Sequence, residues 1–117
     1  MTKLLLAALV CAALPALAGN DDAQPFSVQL GPGEMHEECV RVEAGTLRTY
    51  SWKADERVDF NIHYHRYDPD EVIFPVEHDS IRGESGTFTA KSGEDYCWMW
   101  TARLRPARLE GRIDAKK

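Results

Sequence analysis

Helical signals are what this sequence lacks most. Beyond the N-terminal segment, no stretch repeats its apolar residues at the spacing of an amphipathic helix, and no internal repeat or low-complexity tract occurs. Cysteine is scarce, with three in 117 residues, and no C-x-x-C pair is present. That argues against a thiol–disulfide oxidoreductase. Lysine and arginine number 14 against 19 aspartates and glutamates, a formal charge of −5. Nucleic-acid binding needs cations clustered on one face, so this balance speaks against a nucleic-acid partner. Serines 51, 80, 85 and 92 sit in no nucleophile-elbow context, and no pair of carboxylates is marked out for acid–base work. A non-enzymatic protein is expected.

Only one long apolar run exists. Lys3 is a short positive head, Leu4 to Leu14 is apolar, and Pro15-Ala16-Leu17-Ala18 ends in an A-x-A pattern. This predicts a secretory signal peptide over residues 1–18, too short to span a bilayer. Cys11 follows bulky Val10 inside the apolar run, which argues against a lipid anchor. Removing residues 1–18 from 117 leaves 99, enough for one small domain, and loss of Lys3 takes the formal charge from −5 to −6. No further apolar run predicts a membrane span. A secreted or periplasmic location is expected. There, Cys39 and Cys97 form an even pair in an oxidising compartment and predict a disulfide closing most of the domain.

What the sequence does have is alternation. Residues 19–25 are small and polar and read as a flexible lead-in to a domain over 26–114. Val58, Phe60, Ile62 and Tyr64 alternate with Asp59, Asn61, His63 and His65, the pattern of a half-buried strand. Further strands are predicted over Phe26–Leu30, Glu37–Glu43, Thr46–Ala54, Glu71–Glu77, Gly86–Ala90, Asp95–Arg103 and Leu109–Ile113. Lys53–Arg57 reads as a polar connection, Tyr67–Asp70 as a Pro-containing turn and Arg82–Gly86 as another turn. Pro75 marks an edge or a bulge. The expected fold is an antiparallel β-sandwich of seven to eight strands.

In order along the chain stand Cys39, Ala44-Gly45-Thr46, Val58-Asp59-Phe60-Asn61-Ile62, Ser85-Gly86-Thr87-Phe88-Thr89-Ala90 and Ser92-Gly93-Glu94-Asp95-Tyr96-Cys97. This succession resembles the GOLD (Golgi-dynamics) domain of luminal cargo receptors over residues 26 to 113. The resemblance implies a β-sandwich with the two cysteines bridged and a role in recognition rather than catalysis. The receptors continue into a coiled coil and a membrane span, whereas this sequence ends at Lys117. It resembles a free-standing secreted or periplasmic form, whose partner, a protein or a small ligand, is not named by the sequence.

The sharpest chemical signal is His63-x-His65. On a strand these imidazoles share one face, the expected solvated polar face, and two imidazoles side by side can chelate zinc or copper. Asp59 and Asn61 share that face, while Glu71, His78 and Met35-His36 are candidate further ligands. A cupin is not indicated, because Glu71 stands too far from His65 and no glycine turn precedes His78. Trp98-Met99-Trp100 could offer a thioether to Cu(I), but alternation sends Met99 away from both indoles, which are expected in the core. Arg103, Arg105, Arg108 and Arg112 tint the C-terminal end basic and read as a solvated edge. The leading expectation is a binding module with no cofactor. The alternative is a periplasmic copper- or zinc-binding protein using His63 and His65.

Overall fold

A computed structural model describes residues 24–67 and 70–116 of the chain. The expected signal peptide, most of the lead-in, and Asp68-Pro69 of the expected turn lie outside the described residues. The described residues contain six strands and no helix: β1 (Phe26–Leu30), β2 (Met35–Val42), β3 (Leu47–His65), β4 (Val72–Thr89), β5 (Glu94–Ala102) and β6 (Ala107–Lys116). All pairings are antiparallel, in the order β1-β6-β3-β5-β2, with β4 also on β3.

β3 organises the molecule. Its first half, Leu47–Ala54, pairs with β6 on one side, and its second half, Val58–His63, pairs with β5. β4 follows both halves along the other side, and its register shifts between Lys53 and Val58. The long β3–β4 hairpin is thus shared by two stretches of sheet, and the whole curls so that they face one another. Ring contacts span the interior: Tyr50 and Trp52 of the first half lie 5.9 and 5.2 Å from Phe60 of the second. Trp98 and Trp100 of β5 meet Phe88 and Trp52 edge-on. These rings, with Val58, Ile62, Tyr96 and Leu109, are buried. Each buried side chain of this size stabilises by roughly 1.5–3 kcal/mol.

The all-β class holds, with six strands in a single curled sheet where seven to eight were expected. Two local signals account for the difference. Lys53–Arg57 was expected to connect two strands, but β3 runs straight through it. The charged residues mark the irregularity where pairing passes from β6 to β5, not an end. Likewise Arg82–Gly86, expected as a turn, lies inside β4. Gly86 is there because the Tyr50 phenol covers it: a Cβ at Gly86 would stand 3.0 Å from Tyr50 Oη. Burial, reinforced by the Glu84 carboxylate, pushes that phenol up to about 12. Gly111 serves the same purpose opposite Phe26 and Trp52, where a Cβ would approach the Phe26 ring to 2.6 Å.

The disulfide joins Cys39 of β2 to Cys97 of β5, which are register partners with Cα atoms 4.0 Å apart. It ties the edge strand β2 to its neighbour. Closing a loop of 58 residues stabilises by roughly 4 kcal/mol in the chain-entropy picture.

Candidate functional site

The outward face of β3's second half, with the neighbouring strands β5 and β2, carries the chemistry. Two cross-strand rows define it. Asn61 pairs with Met99, which pairs with Glu37; His63 pairs with Cys97, which pairs with Cys39. β5 therefore separates His63 from Glu37, and their side chains reach toward one another across it.

His63 is buried, with 4 % of its surface exposed, and Asn61 is buried with it. This corrects the expectation of a solvated polar face at His63, while His65 is exposed as expected. On a central strand the outward positions are roofed by long side chains from both neighbours, and here the Phe74 ring lies 5.7 Å from the His63 ring. The His65 ring stands 5.4 Å from it at a right-angled inclination, and His65 is exposed.

The polar contacts of His63 are specific. Nδ1 lies 2.7 Å from Asn61 Oδ1. A carbonyl oxygen only accepts, so Nδ1 carries the proton and donates. Nε2 is left with its lone pair, and it faces Glu37 Oε1 at 3.6 Å. Burial holds the imidazole below its ordinary value, Glu37 opposes that shift, and His65 adds to it. The neutral ring is the favoured form.

Other expected ligands lie elsewhere. His78 pairs with Phe60, its Nε2 is 3.3 Å from Glu84 Oε1, and two residues of strand separate its partner from His63. Glu71 precedes β4 and accepts the Arg66 N–H on its carbonyl. Met35 and His36 point to opposite faces: Met35 is 60 % exposed, while His36 packs against Phe26 and hydrogen-bonds Glu38. Met99 faces away from Trp98 and Trp100, which are core residues. Arg103, Arg108 and Arg112 pair with Asp59, Glu110 and Asp114.

The residue that sequence reasoning missed is Glu37. Its parity with Cys39 on β2 was legible, but the order β2-β5-β3 that brings it to His63 was not. Among the described residues, Glu37, Cys39 and Cys97 bring possible ligand atoms within 4.8 Å of one another. The two sulfurs are bonded to each other, which removes them as thiolate ligands. Beside the bridge a cleft of 420 Å³ opens between Arg41, His65 and Asp95.

The sequence matches no family model and no curated protein. Among solved structures, the chain is similar to PliG of Aeromonas hydrophila, described as a periplasmic lysozyme inhibitor of g-type lysozyme. The TM-score is 0.56 at 11% identity, over 85% of this chain and 90% of that one. A de novo designed double-stranded β-helix scores 0.43 at 18% identity, over 78% of this chain and 99% of that one. The first likeness shows a shared fold. Neither structure is described as a GOLD domain.

Proposed function

We propose that this protein is a secreted or periplasmic, non-enzymatic binding module whose partner is another protein, a lysozyme-class enzyme. The observation that carries the reading is the fold shared with PliG along most of both chains. The disulfide suits an oxidising compartment outside the cytosol. No helix among the described residues is long and apolar enough to cross a membrane. The GOLD-like succession of residues supports the same class of role, recognition without catalysis.

The outward face fits a positively charged protein surface. Glu37, Asp59, Glu77, Asp79 and Asp95 fall on it by strand parity and register, against Arg41, Arg57 and Arg103. Arg103 is occupied by Asp59 at 2.7 Å, and Arg41 by Glu43 at 3.0 Å. The remaining carboxylates leave a negative field, which steers a cationic partner and sets specificity.

Clearing of a bacterial cell-wall suspension tests the reading. Purified protein is titrated into g-type lysozyme and, separately, into lysozymes of other types. The expected result is stoichiometric loss of lysis with one type, weakening as salt rises. Unchanged clearing with every type at large molar excess, and no complex on size-exclusion chromatography, overturns it.

A further inference from the structure

We infer that a cleft at the mouth of the curled sheet binds a medium-chain fatty acid, a function independent of the protein-partner reading. The cleft lies where the two ends of the β3–β4 hairpin curl toward one another, and its volume is about 400 Å³. Small-molecule sites occupy roughly 300–1,000 Å³ and favour the mouths of curled sheets and barrels. Its walls differ in chemistry. Tyr64, Ile73, Pro75 and Val76, from the turning end of the hairpin, form an apolar lip. Thr89, Lys91 and Ser92, from the end of β4 and the turn into β5, form a polar one. Phe88 and Tyr96, both buried, lie in the floor. A ligand with an apolar body and one charged end matches this division.

The cleft is held in shape by the fold itself. Tyr96 Oη donates to the Ser92 carbonyl at 2.7 Å, which ties the polar lip to the floor. The Ala90 N–H donates to the Thr46 carbonyl at 3.0 Å, and the Ala90 carbonyl accepts from the Gly45 N–H at 2.8 Å, bracing the same lip from the β2–β3 turn. A site so ordered loses little conformational freedom on binding. The rings of Tyr64 and Phe88 meet Tyr96 at 5.2 and 4.8 Å, inclined by 69° and 64°. They offer no parallel pair to sandwich a flat aromatic acid, whereas a flexible chain follows such a surface.

Charge selects an anion here and not in the other depressions. Lys91 is exposed and makes no ion pair among the described residues, and no carboxylate among them lines the cleft. A wider depression of about 630 Å³ over Ser27, Ser51 and Ser85 has its cations already held. There Lys53 stands 3.7 Å from Glu110, and Arg112 stands 3.1 Å from Asp114. The cleft beside the disulfide sets Glu94 and Asp95 against Arg41, which is itself paired with Glu43. Only at Lys91 does a carboxylate head meet a cation without displacing a partner. The Thr89 and Ser92 hydroxyls, beside it on the same lip, are donors for that head.

Titration calorimetry with decanoate, below the concentration at which it forms micelles, tests this. The expected result is saturable binding of one decanoate per chain, tighter than that of decylammonium, which has the same tail and the opposite charge. Octanoate, shorter by two methylenes, should bind roughly 15-fold more weakly if the tail is buried. Lys91→Gln, at an exposed turn position, should weaken decanoate about two- to fivefold, the range of an exposed ion pair, and leave decylammonium no weaker. Lys91→Glu should reverse the preference between the two. Lys53→Gln, in the wider depression, should change nothing. Circular dichroism of the Lys91 variants checks that the fold is kept. Absence of saturable decanoate binding, decylammonium or naphthoate binding more tightly than decanoate, or decanoate binding untouched by Lys91→Glu overturns the proposal.

Discussion

The two halves of β3 are one strand with the same neighbour, β4, along one side, yet they treat their outward faces differently. In the first half Tyr50 and Trp52 are buried, while Thr49 and Ser51 are half-exposed and Lys53 exposed. In the second half Phe60 and Ile62 are buried, and so are Asn61 and His63 on the opposite face. The inward rows are alike because both line one aromatic core. The outward rows differ because of what stands across from them. Ser51 faces Ser85 and Arg112, a short chain and one directed to solvent. Asn61 and His63 face Met99, the Cys39–Cys97 bridge and Phe74, which together roof them. Burial of an outward strand position is thus a property of its cross-strand neighbours, not of its own residue type.

The largest effect should come from the row the halves share. Phe60 touches Tyr50, Trp52 and Trp100, with 1 % of its surface exposed. Phe60→Ala should cost about 3–5 kcal/mol in urea unfolding, because the surrounding rings cannot collapse into the space. A cost near that of a surface change would show that the curled sheet does not close over this ring.

A smaller effect separates the outward rows. Asn61→Ala leaves the buried Nδ1–H of His63 without its acceptor and should cost about 1–3 kcal/mol. Ser51→Ala, at the matching parity of the first half, should stay within about 0.5 kcal/mol. Equal values by denaturant titration would erase the contrast between the halves.

That contrast also divides what the sequence revealed from what it concealed. The inward faces of β3 and β5 were readable because alternation is local: Phe60, Ile62, Trp98 and Trp100 declare themselves within a few residues. The disulfide followed from counting cysteines once the first of the three was assigned to a signal peptide. Strand ends at Lys53–Arg57 and Arg82–Gly86 were misread because charge and glycine are turn signals in most contexts. Here the first marks a shift in pairing and the second makes room for Tyr50. The burial of His63 was beyond local reading. It depends on Glu37, 26 positions before it, and on Phe74, which meets it only because the register of β4 shifts between Ile62 and Tyr64.

The finest test of the comparison is the pH dependence of stability. The groups facing its ring are Glu37 from β2, His65 and Asn61 from β3, Phe74 from β4 and Cys97 from β5, and only Glu37 favours the charged form. Burial outweighs Glu37, so the folded protein holds His63 below its ordinary value of 6.5. Above about pH 6.5 the ring is neutral in both the folded and the unfolded chain, and its contribution is fully present. As pH falls, the unfolded chain takes up the proton first, so stability declines until the folded value is passed and then levels off. His63→Gln removes this titration while leaving the other histidines in place. The difference in unfolding free energy between wild type and His63→Gln should therefore shrink in favour of the variant as pH drops from about 7 toward 5. Parallel curves over that range would mean that His63 is as well solvated as Ser51, and the two halves of β3 would no longer differ.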